Sequence, residues 1–232
     1  IILDQDNAFA SSVTMQAGNG DNAAFNHITF KDRGGVDLVS SASSSAGDLF
    51  INATNNLAVG GNLSITATTG NITQSGALDI EGTTTLVTLG VGADIDLAAN
   101  GTGNAFTSQL LITTNETSSN IDADVTVDGG TTNLIIGNST IDGNLTLLSG
   151  GTITDTDRST VTEQGTLTAT TDASASAITL NQLAVTGAFT LAPDDTGAVT
   201  IVNAAGLNLA ASTMGGTFSG TATTGDISDS GN

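Results

Sequence analysis

The sequence predicts an all-β fold, a parallel β-helix (β-solenoid) that forms an elongated rod. Three observations predict it: short runs that alternate apolar with small polar residues, turn-forming residues between those runs, and internal copies of one motif. Helical periodicity is absent from the sequence, so no helix is available to connect the strands. Short strands joined only by turns leave two architectures, antiparallel sandwiches or barrels and a parallel solenoid.

The alternating runs recur from one end of the chain to the other. Gly, Asn, Asp, Ser and Thr separate them, and these residues tolerate positive φ or bond their own backbone in turns. The only proline, Pro193, lies in such a turn-like segment. The sequence therefore predicts strands of about 4–6 residues throughout, for example at 36–39, 48–51, 63–66, 93–97, 121–127, 145–147, 177–180 and 198–201.

The composition predicts a narrow core built from small aliphatic side chains. Hydrophobic residues make up 38% of the 232 residues, but only 7 are Phe and none is Trp or Tyr. Large aromatic side chains dominate the cores of most globular domains, whereas Val, Ile, Leu and Ala fill the thin interior of a solenoid. We expect apolar ladders from positions such as Leu63, Ile65, Leu145, Leu147, Ile178 and Leu180.

Internal repetition favours the solenoid over the sandwich. Residues 67–76 reappear at 222–231, an offset of 155, with 7 of 10 positions identical. A Gly-Asn-Leu start or its variant begins at Gly61, Gly143 and Gly216, at intervals of 82 and 73 residues, and a second landmark contains Phe9, Phe106 and Phe189, which are 97 and 83 apart. We predict one continuous solenoid over 1–232, with imperfect units of about 75–95 residues that each hold several turns of roughly 20 residues.

The two ends of the sequence carry no polar cap. Ile1 opens directly in strand-like sequence, and Asn232 follows the Asp229-Ser230-Gly231 turn at a point where the earlier copy continues into another strand. Solenoids need polar capping segments at their ends. We therefore expect the sequence to be a segment of a longer chain.

Charge and cysteine content exclude several classes of function. The net charge is −20, from 23 acidic and 3 basic residues, so nucleic acid is excluded as a partner. The absence of Cys excludes disulfides and thiolate metal sites. No apolar run is long enough for a transmembrane helix, so we expect no membrane insertion by this segment.

A larger pattern carries a resemblance to a known class of protein. It consists of Gly-Asn-Leu-x-Ile-x-Ala-x-x-Gly-x-Ile-x-x-Ser-Gly at 61–76, further strand sequence at 77–80, 83–85 and 94–97, and the Asn-Ala-Phe landmark. This pattern resembles the β-strand repeats of very large bacterial exoproteins, similar to the filamentous-haemagglutinin-like adhesins. The resemblance implies a right-handed parallel β-helix at the bacterial cell surface or in secreted extracellular fibres.

One short segment holds most of the cationic residues. His27 is the only histidine, and Lys31 and Arg33 follow it closely. One interpretation is the site of a carbohydrate-active β-helix enzyme, a lyase or hydrolase in which a basic residue abstracts a proton beside carboxylates. The other is a surface segment whose charges pair with Asp32 or Asp37. No Gly-x-Ser-x-Gly elbow is present, and we predict no catalytic residue.

Paired aspartates are candidate ligands for calcium, which prefers six to eight oxygen atoms. The alternative for each pair is a solvated turn carboxylate, and we predict no other cofactor. The candidates are Asp4 with Asp6, Asp122 with Asp124, Asp155 with Asp157, and Asp194 with Asp195.

Threonine pairs suggest a third alternative, an ice-binding solenoid. That function needs one Thr-x-Thr pair per turn at constant spacing, whereas the spacing here is irregular and the β propensity of Thr explains the pairs equally well. The pairs are 66/68, 83/85, 152/154, 160/162, 166/168 and 221/223.

Taken together, these features predict a structural and interaction segment of an extracellular adhesin or surface fibre. We expect the repeats to extend a rod, whose partners are other copies of the chain in fibres or bundles, a host or neighbouring cell surface, or a glycan. An active site needs one unique cluster of perturbed groups, but the acidic residues are spread over many turns.

Overall fold

Parallel strands stacked along one axis build the fold. In the computed structural model, the described residues are 1–9, 13–15, 27–39, 48–51, 57–99, 103–115, 122–161 and 165–231. They form sheets of 12, 11 and 3 strands, and no α-helix occurs within these ranges. The all-β class is therefore confirmed.

The strands are short and follow one another closely along the chain. The 12-stranded sheet contains β1 (Ile2–Asn7), β3 (Ile28–Asp32), β7 (Leu63–Ala67), β10 (Thr84–Thr88), β13 (Leu110–Thr113), β15 (Leu134–Ile136), β16 (Ser139–Ile141), β18 (Ile153–Asp155), β19 (Ser159–Val161), β21 (Ile178–Val185), β23 (Val199–Asn203) and β25 (Phe218–Ala222). The 11-stranded sheet contains β2 (Val13–Met15), β4 (Val36–Val39), β5 (Asp48–Ile51), β8 (Ile72–Gln74), β11 (Ile95–Leu97), β14 (Val125–Asp128), β17 (Leu145–Ser149), β20 (Leu167–Thr171), β22 (Ala188–Ala192), β24 (Leu207–Leu209) and β26 (Ile227–Asp229). The 3-stranded sheet contains β6 (Leu57–Val59), β9 (Leu78–Ile80) and β12 (Ala105–Phe106).

Every strand pairing in the described part of the chain is parallel. Leu63 pairs with Thr84, 21 residues later, and Leu145 pairs with Leu167, 22 residues later. Each turn of the chain, here called a rung, therefore uses about 20 residues, as in other solenoids. The β-solenoid prediction is confirmed.

The core is a set of aliphatic ladders along the inside of the rod. Strands such as β7, β17 and β20 alternate buried with half-buried residues, because successive side chains of a strand point to opposite faces. One ladder passes through the 11-stranded sheet at Ile95, Val125, Leu145, Leu167 and Phe189. All six residues predicted to form ladders are buried, which confirms that part of the prediction: Leu63, Ile65, Leu145, Leu147, Ile178 and Leu180.

Four phenylalanines lie in this core or against it. Phe30, Phe106 and Phe189 are buried, and the ring of Phe9 stacks on that of Phe30 with the ring centroids 5.5 Å apart. Three of these four residues belong to the Phe landmark of the sequence. The landmark therefore marks side chains that lie in the core or pack against it.

Copies of the motif do not all lie on the same sheet. The strand that follows the Gly61 start, β7, lies in the 12-stranded sheet, but the strand that follows the Gly143 start, β17, lies in the 11-stranded sheet. A repeat unit is therefore not a whole number of rungs. Surfaces along the rod follow from strand register and not from sequence equivalence.

A buried polar network joins neighbouring rungs inside the rod. Asn104 accepts a hydrogen bond from the Leu78 backbone N–H at 3.0 Å, and its Nδ2 lies 2.8 Å from the Asp128 carbonyl oxygen and 3.2 Å from that of Leu97. The side chain of Gln74 bonds the same amide. Both side chains are buried, so this network satisfies backbone groups that the ladders leave unpaired.

Two buried threonine hydroxyls lack the hydrogen bonds that the buried amides make. Thr84 and Thr88 are inward-facing residues of β10, and within the described residues their Oγ1 atoms have no hydrogen-bond partner. Burying an unpaired hydroxyl costs about 1–3 kcal/mol, and Val has nearly the same shape without that cost.

Replacing Thr84 or Thr88 with Val is therefore expected to raise the free energy of unfolding by about 1 kcal/mol at each site. Urea denaturation followed by circular dichroism measures the change. Thr85→Val on the same strand is the matched control, because Thr85 faces outward and its replacement should change stability by less than about 0.5 kcal/mol. A loss of stability in T84V and T88V would show that these hydroxyls have partners.

Candidate functional site

The three basic residues suggested as an enzyme site do not meet in one place. His27 precedes β3, Lys31 lies within that strand, and Arg33 follows it. At about 3.3 Å per residue, the six residues from His27 to Arg33 span about 20 Å. A strand of this length places the imidazole and the guanidinium at opposite ends.

His27 has a structural hydrogen bond. Its Nδ1 accepts the backbone N–H of Asn62, on the next rung, at 2.9 Å. An imidazole nitrogen that accepts a hydrogen bond carries no proton, so this geometry defines the tautomer with hydrogen on Nε2. The sequence indicated a lone histidine in a cationic segment but not this role.

The contact at His27 belongs to a series that we call inter-rung caps. In each cap, a side chain just before a strand accepts the backbone N–H of the equivalent position on the next rung. Asn71 Oδ1 accepts from Asp94 N at 3.0 Å, and Asp94 Oδ1 accepts from Asp124 N at 2.9 Å. Further caps join Asn62 to Thr83, Asp124 to Asn144, Asn133 to Thr152, and Asn144 to Thr166.

Inter-rung caps explain why Asn and Asp recur before strands. The carbonyl oxygen of the residue before a strand already accepts a hydrogen bond from the previous rung, as Asp94 O accepts from the Ile72 N–H at 3.0 Å. Its own N–H then needs an acceptor, and a short side chain on the previous rung supplies one. Turn composition alone could not distinguish this role from a solvated loop.

Several calcium candidates are used in hydrogen bonds to protein groups. Asp124 Oδ1 accepts both the backbone N–H of Asn144 at 2.7 Å and its side-chain Nδ2 at 3.0 Å. Asp195 Oδ2 accepts from the Ser174 hydroxyl at 3.0 Å, and Asp4 Oδ1 accepts from Gln5 Nε2 at 3.0 Å.

The other candidate aspartates are placed as follows. Asp122, Asp157 and Asp194 are exposed in turns, whereas the side chain of Asp6 lies outside the described residues. Among the described residues, no group of three or more His, Cys, Asp or Glu side chains has the arrangement of a metal site. Calcium binding by these carboxylates stays a prediction.

Asp155 holds a β-bulge on the outside of the rod. Its two carboxylate oxygens accept the consecutive backbone N–H groups of Asn181 and Gln182, at 2.9 and 2.8 Å. Register shifts between Leu180 and Leu183 at this point, so two adjacent side chains face outward together. Bulges of this kind redirect side chains.

An open groove of about 200 Å³, here called the bulge groove, lies beside the bulge. Arg158, Asn181 and Gln182 line it with a guanidinium and two amides, while Val202 and Ala204 contribute apolar surface. Planar amide and guanidinium groups beside a small apolar surface suit the hydroxyls and C–H faces of a sugar. No sequence pattern indicates this groove, because only the bulge brings these residues together.

The outer side of the 11-stranded sheet carries a column of threonines. Thr126, Thr146, Thr168 and Thr190 are in register on four consecutive strands, about 4.8 Å apart. Beside this column lie Leu148, Thr170 and Ala192, also in register. We call these seven residues the threonine face.

The Thr-x-Thr pattern of the sequence does not identify the threonine face, since only Thr168 belongs to both. Constant spacing exists across the strands because turns of different length absorb the irregular spacing along the chain. Within the described residues, the hydroxyls of the four column threonines have no hydrogen-bond partner, so they are free to bond outward. A pair of outward threonines on one strand occurs only on β20 within this face, at Thr168 and Thr170.

No secondary-structure element in the described ranges is a helix of the length and hydrophobicity needed to cross a bilayer. A search of curated proteins finds no match to this chain, and neither does a search of solved structures. The resemblance to filamentous-haemagglutinin-like adhesins therefore has no support from these comparisons.

A family model, Repeats of unknown function (DUF5649), matches the chain at residues 40–113, 122–192 and 196–232. The Gly61 and Gly143 starts each lie 21 residues after the beginning of their match, and Gly216 lies 20 residues after the beginning of the third. The three matches cover most of the chain, and the chain belongs to this family of repeats of unknown function.

Proposed function

We propose that this chain is a structural and interaction segment of a bacterial extracellular adhesin or surface fibre. The observation that carries the proposal is the in-register stacking of rungs through all three repeat matches. Each rung adds about 4.8 Å, so repeats convert chain length directly into reach. A rod of this kind displaces a terminal segment from the cell and multiplies weak lateral contacts.

The net charge of the chain supports the proposal of a soluble rod on the outside of the cell. The net charge of −20 keeps such rods apart in dilute salt. Several of the carboxylates responsible, such as Asp94, Asp124 and Asp155, also hold rungs together by accepting backbone N–H groups. Acidity therefore serves solubility and rung alignment in the same residues.

The bulge groove supports a glycan as one partner of the rod. Arg158, Asn181 and Gln182 present donors and acceptors beside the register shift of β21. A single weak glycan site becomes useful when many rods are displayed on one cell, because avidity multiplies such contacts.

The test of location uses an antibody raised against the purified chain. We expect it to label intact cells of the producing bacterium or fibres in their medium, and we expect brief protease treatment of intact cells to remove the cell-bound label. Label that appears only after the cells are permeabilised would overturn the proposal. A cytoplasmic protein labelled in parallel reports whether the cells stayed intact.

The alternative, a carbohydrate-active enzyme, is tested with the purified chain. We expect no cleavage in a panel of acidic and neutral polysaccharides, because His27 and Arg33 lie at opposite ends of β3. Cleavage that is abolished by combined His27→Ala, Lys31→Ala and Arg33→Ala replacement would support the enzyme instead. Circular dichroism of the triple variant checks that lost cleavage is not lost folding.

A further inference from the structure

The bulge groove is lined by one charged side chain, and that side chain is positive. Arg158 is one of only 3 basic residues in a chain with 23 acidic ones, yet neither Asp155 nor Asp157 lines the groove beside it. Within the described residues, the Arg158 guanidinium makes no hydrogen bond and no ion pair. A guanidinium presents five donors in a planar fork that matches a carboxylate. The groove therefore offers an anion-binding group that has no counter-charge of its own.

We propose that the bulge groove binds an acidic sugar residue of a glycan, a uronic acid, whose carboxylate bonds the Arg158 guanidinium. This inference rests on the proposed function, since it names the class of glycan that the rod would bind. A carboxylate supplies the counter-charge that Arg158 lacks, and it can accept two parallel N–H bonds from the guanidinium. A neutral sugar would leave that charge without a partner.

Three more polar groups of the groove are available to the hydroxyls of the same sugar ring. Within the described residues, the Asn181 amide and the Thr223 hydroxyl make no hydrogen bond. Gln182 uses its Nε2 in a bond to the Thr156 carbonyl oxygen, which leaves its Oε1 to accept a hydrogen bond. Together these groups supply both donors and acceptors, as sugar hydroxyls require. An acidic side chain of a peptide would use Arg158 alone, so the full set favours a sugar.

The size and the apolar part of the groove favour a single sugar ring. Its volume of about 200 Å³ is below the roughly 300–1,000 Å³ of pockets for drug-sized ligands. Val202 and Ala204 are half-buried and form a small apolar wall, against which the C–H face of a ring can pack. Because the groove is open, that ring can belong to a longer glycan chain.

Hydrogen bonds within the chain hold the groove in shape. Asp155 fixes the bulge backbone through the N–H groups of Asn181 and Gln182, at 2.9 and 2.8 Å, so both of its carboxylate oxygens are already used. The Gln182 side chain is held by its 2.9 Å bond to the Thr156 carbonyl oxygen, and Leu183, which also lines the groove, is buried. A ligand therefore loses little affinity to the ordering of protein groups.

The net charge of the chain sets the conditions for binding. A chain of charge −20 repels an acidic glycan at a distance. In about 0.15 M salt the screening length is about 8 Å, so distant carboxylates are largely screened, whereas the sugar carboxylate and the Arg158 guanidinium are in contact. An exposed ion pair contributes only modestly, so a single ring is expected to bind with a Kd of about 1 mM.

NMR titration of the purified, isotope-labelled chain in about 0.15 M NaCl tests the inference. The probe is a trisaccharide of galacturonate, and its methyl ester is the matched control ligand, because it keeps the rings and loses the charge. We expect the acid to shift the amide signals of Asn181 and Gln182, and the ester to bind about fivefold more weakly, the upper end for an exposed ion pair. Arg158→Gln should weaken binding of the acid by a similar factor. Lys31→Gln removes the same charge from an outward position of β3 and should leave binding unchanged.

Each other outcome overturns the inference. Equal binding of the acid and its ester would show that the groove takes a neutral sugar, and equal binding of a tri-glutamate peptide would show that it takes a carboxylate without a ring. No binding, or amide shifts elsewhere in the chain, would show that the groove is not a site for acidic sugars. The comparison of acid and ester uses the wild-type chain, so it holds whether or not the Arg158→Gln variant keeps the wild-type circular dichroism spectrum. The titration is independent of location, so a failure to bind and a failure of surface labelling are distinguishable.

Discussion

Gly165→Ala is expected to lower the free energy of unfolding by about 3 kcal/mol, the upper part of the range for overpacking. A Cβ at this position would overlap the backbone carbonyl oxygen of Gly143 on the preceding rung. The clash involves backbone on both sides, so no side-chain rotation can relieve it. The rungs would have to separate by about 1 Å, which weakens their ladder bonds.

Two backbone hydrogen bonds join neighbouring rungs at this corner of the rod. The Leu145 N–H donates to Thr166 O at 2.9 Å, and Gly187 N–H donates to Gly165 O at 3.2 Å. Separation of the rungs at Gly165 would lengthen both. Gly143 meets the preceding rung in a similar way, because a Cβ there would lie 2.8 Å from the carbonyl oxygen of Ala123.

Urea denaturation measures the loss, and hydrogen exchange locates it. Long repeat proteins do not always unfold in one step, so faster exchange of amides in β17 and β20 is the more specific readout. Gly34→Ala is the control, because its Cβ would meet only the Asp32 side chain, at an ordinary 3.4 Å. Equal stability of the Gly165→Ala and Gly34→Ala variants would show that the rungs at Gly165 are free to separate.

Much of the fold follows from the sequence because a solenoid repeats one local rule. Alternation of apolar and polar residues predicts which residues face inward, and Leu63, Leu145 and Ile178 are buried as that rule requires. Turn residues predict where strands end. Both signals are local, so they can be read from the sequence even though each strand pairs with residues about 20 positions away.

Strand register is what the sequence could not supply. It depends on how many residues each turn absorbs, and the β7 and β17 copies of one motif lie in different sheets as a result. For the same reason, the threonine face joins Thr126, Thr146 and Thr190, which share no motif in the sequence.

The candidate sites were harder to predict because the residue types of such sites also hold neighbouring rungs together. His27 and Asp155 are the residue types of active sites or metal sites, but here they accept backbone N–H groups of the next rung. A sequence contains no signal for an acceptor one rung away. The bulge groove depends on a single register shift at β21, which composition does not indicate.

Asn104→Ala is expected to be the most destabilising polar replacement, with a loss of about 3–5 kcal/mol in the free energy of unfolding. The Asn104 side chain is 2% exposed, and its amide bonds groups on three rungs. Removal of the amide leaves the Leu78 N–H and the side chain of Gln74 without this partner. Each buried group that loses its hydrogen bond costs about 1–3 kcal/mol, and the vacated volume adds a cavity term.

A double-mutant cycle with Gln74→Ala separates the network from ordinary packing. Asn104 and Gln74 bond each other, so the double variant is expected to lose less stability than the sum of the two single variants. The control is Asn208→Ala, because Asn208 lies half-buried on the outer side of β24, where water replaces its bond to Ser228. We expect that control to change stability by less than about 1 kcal/mol. The network would be refuted if the stability losses of Asn104→Ala and Gln74→Ala were additive and as small as that of Asn208→Ala. In that case the two amides would not be coupled, and stacked aliphatic ladders alone would keep the rungs in register.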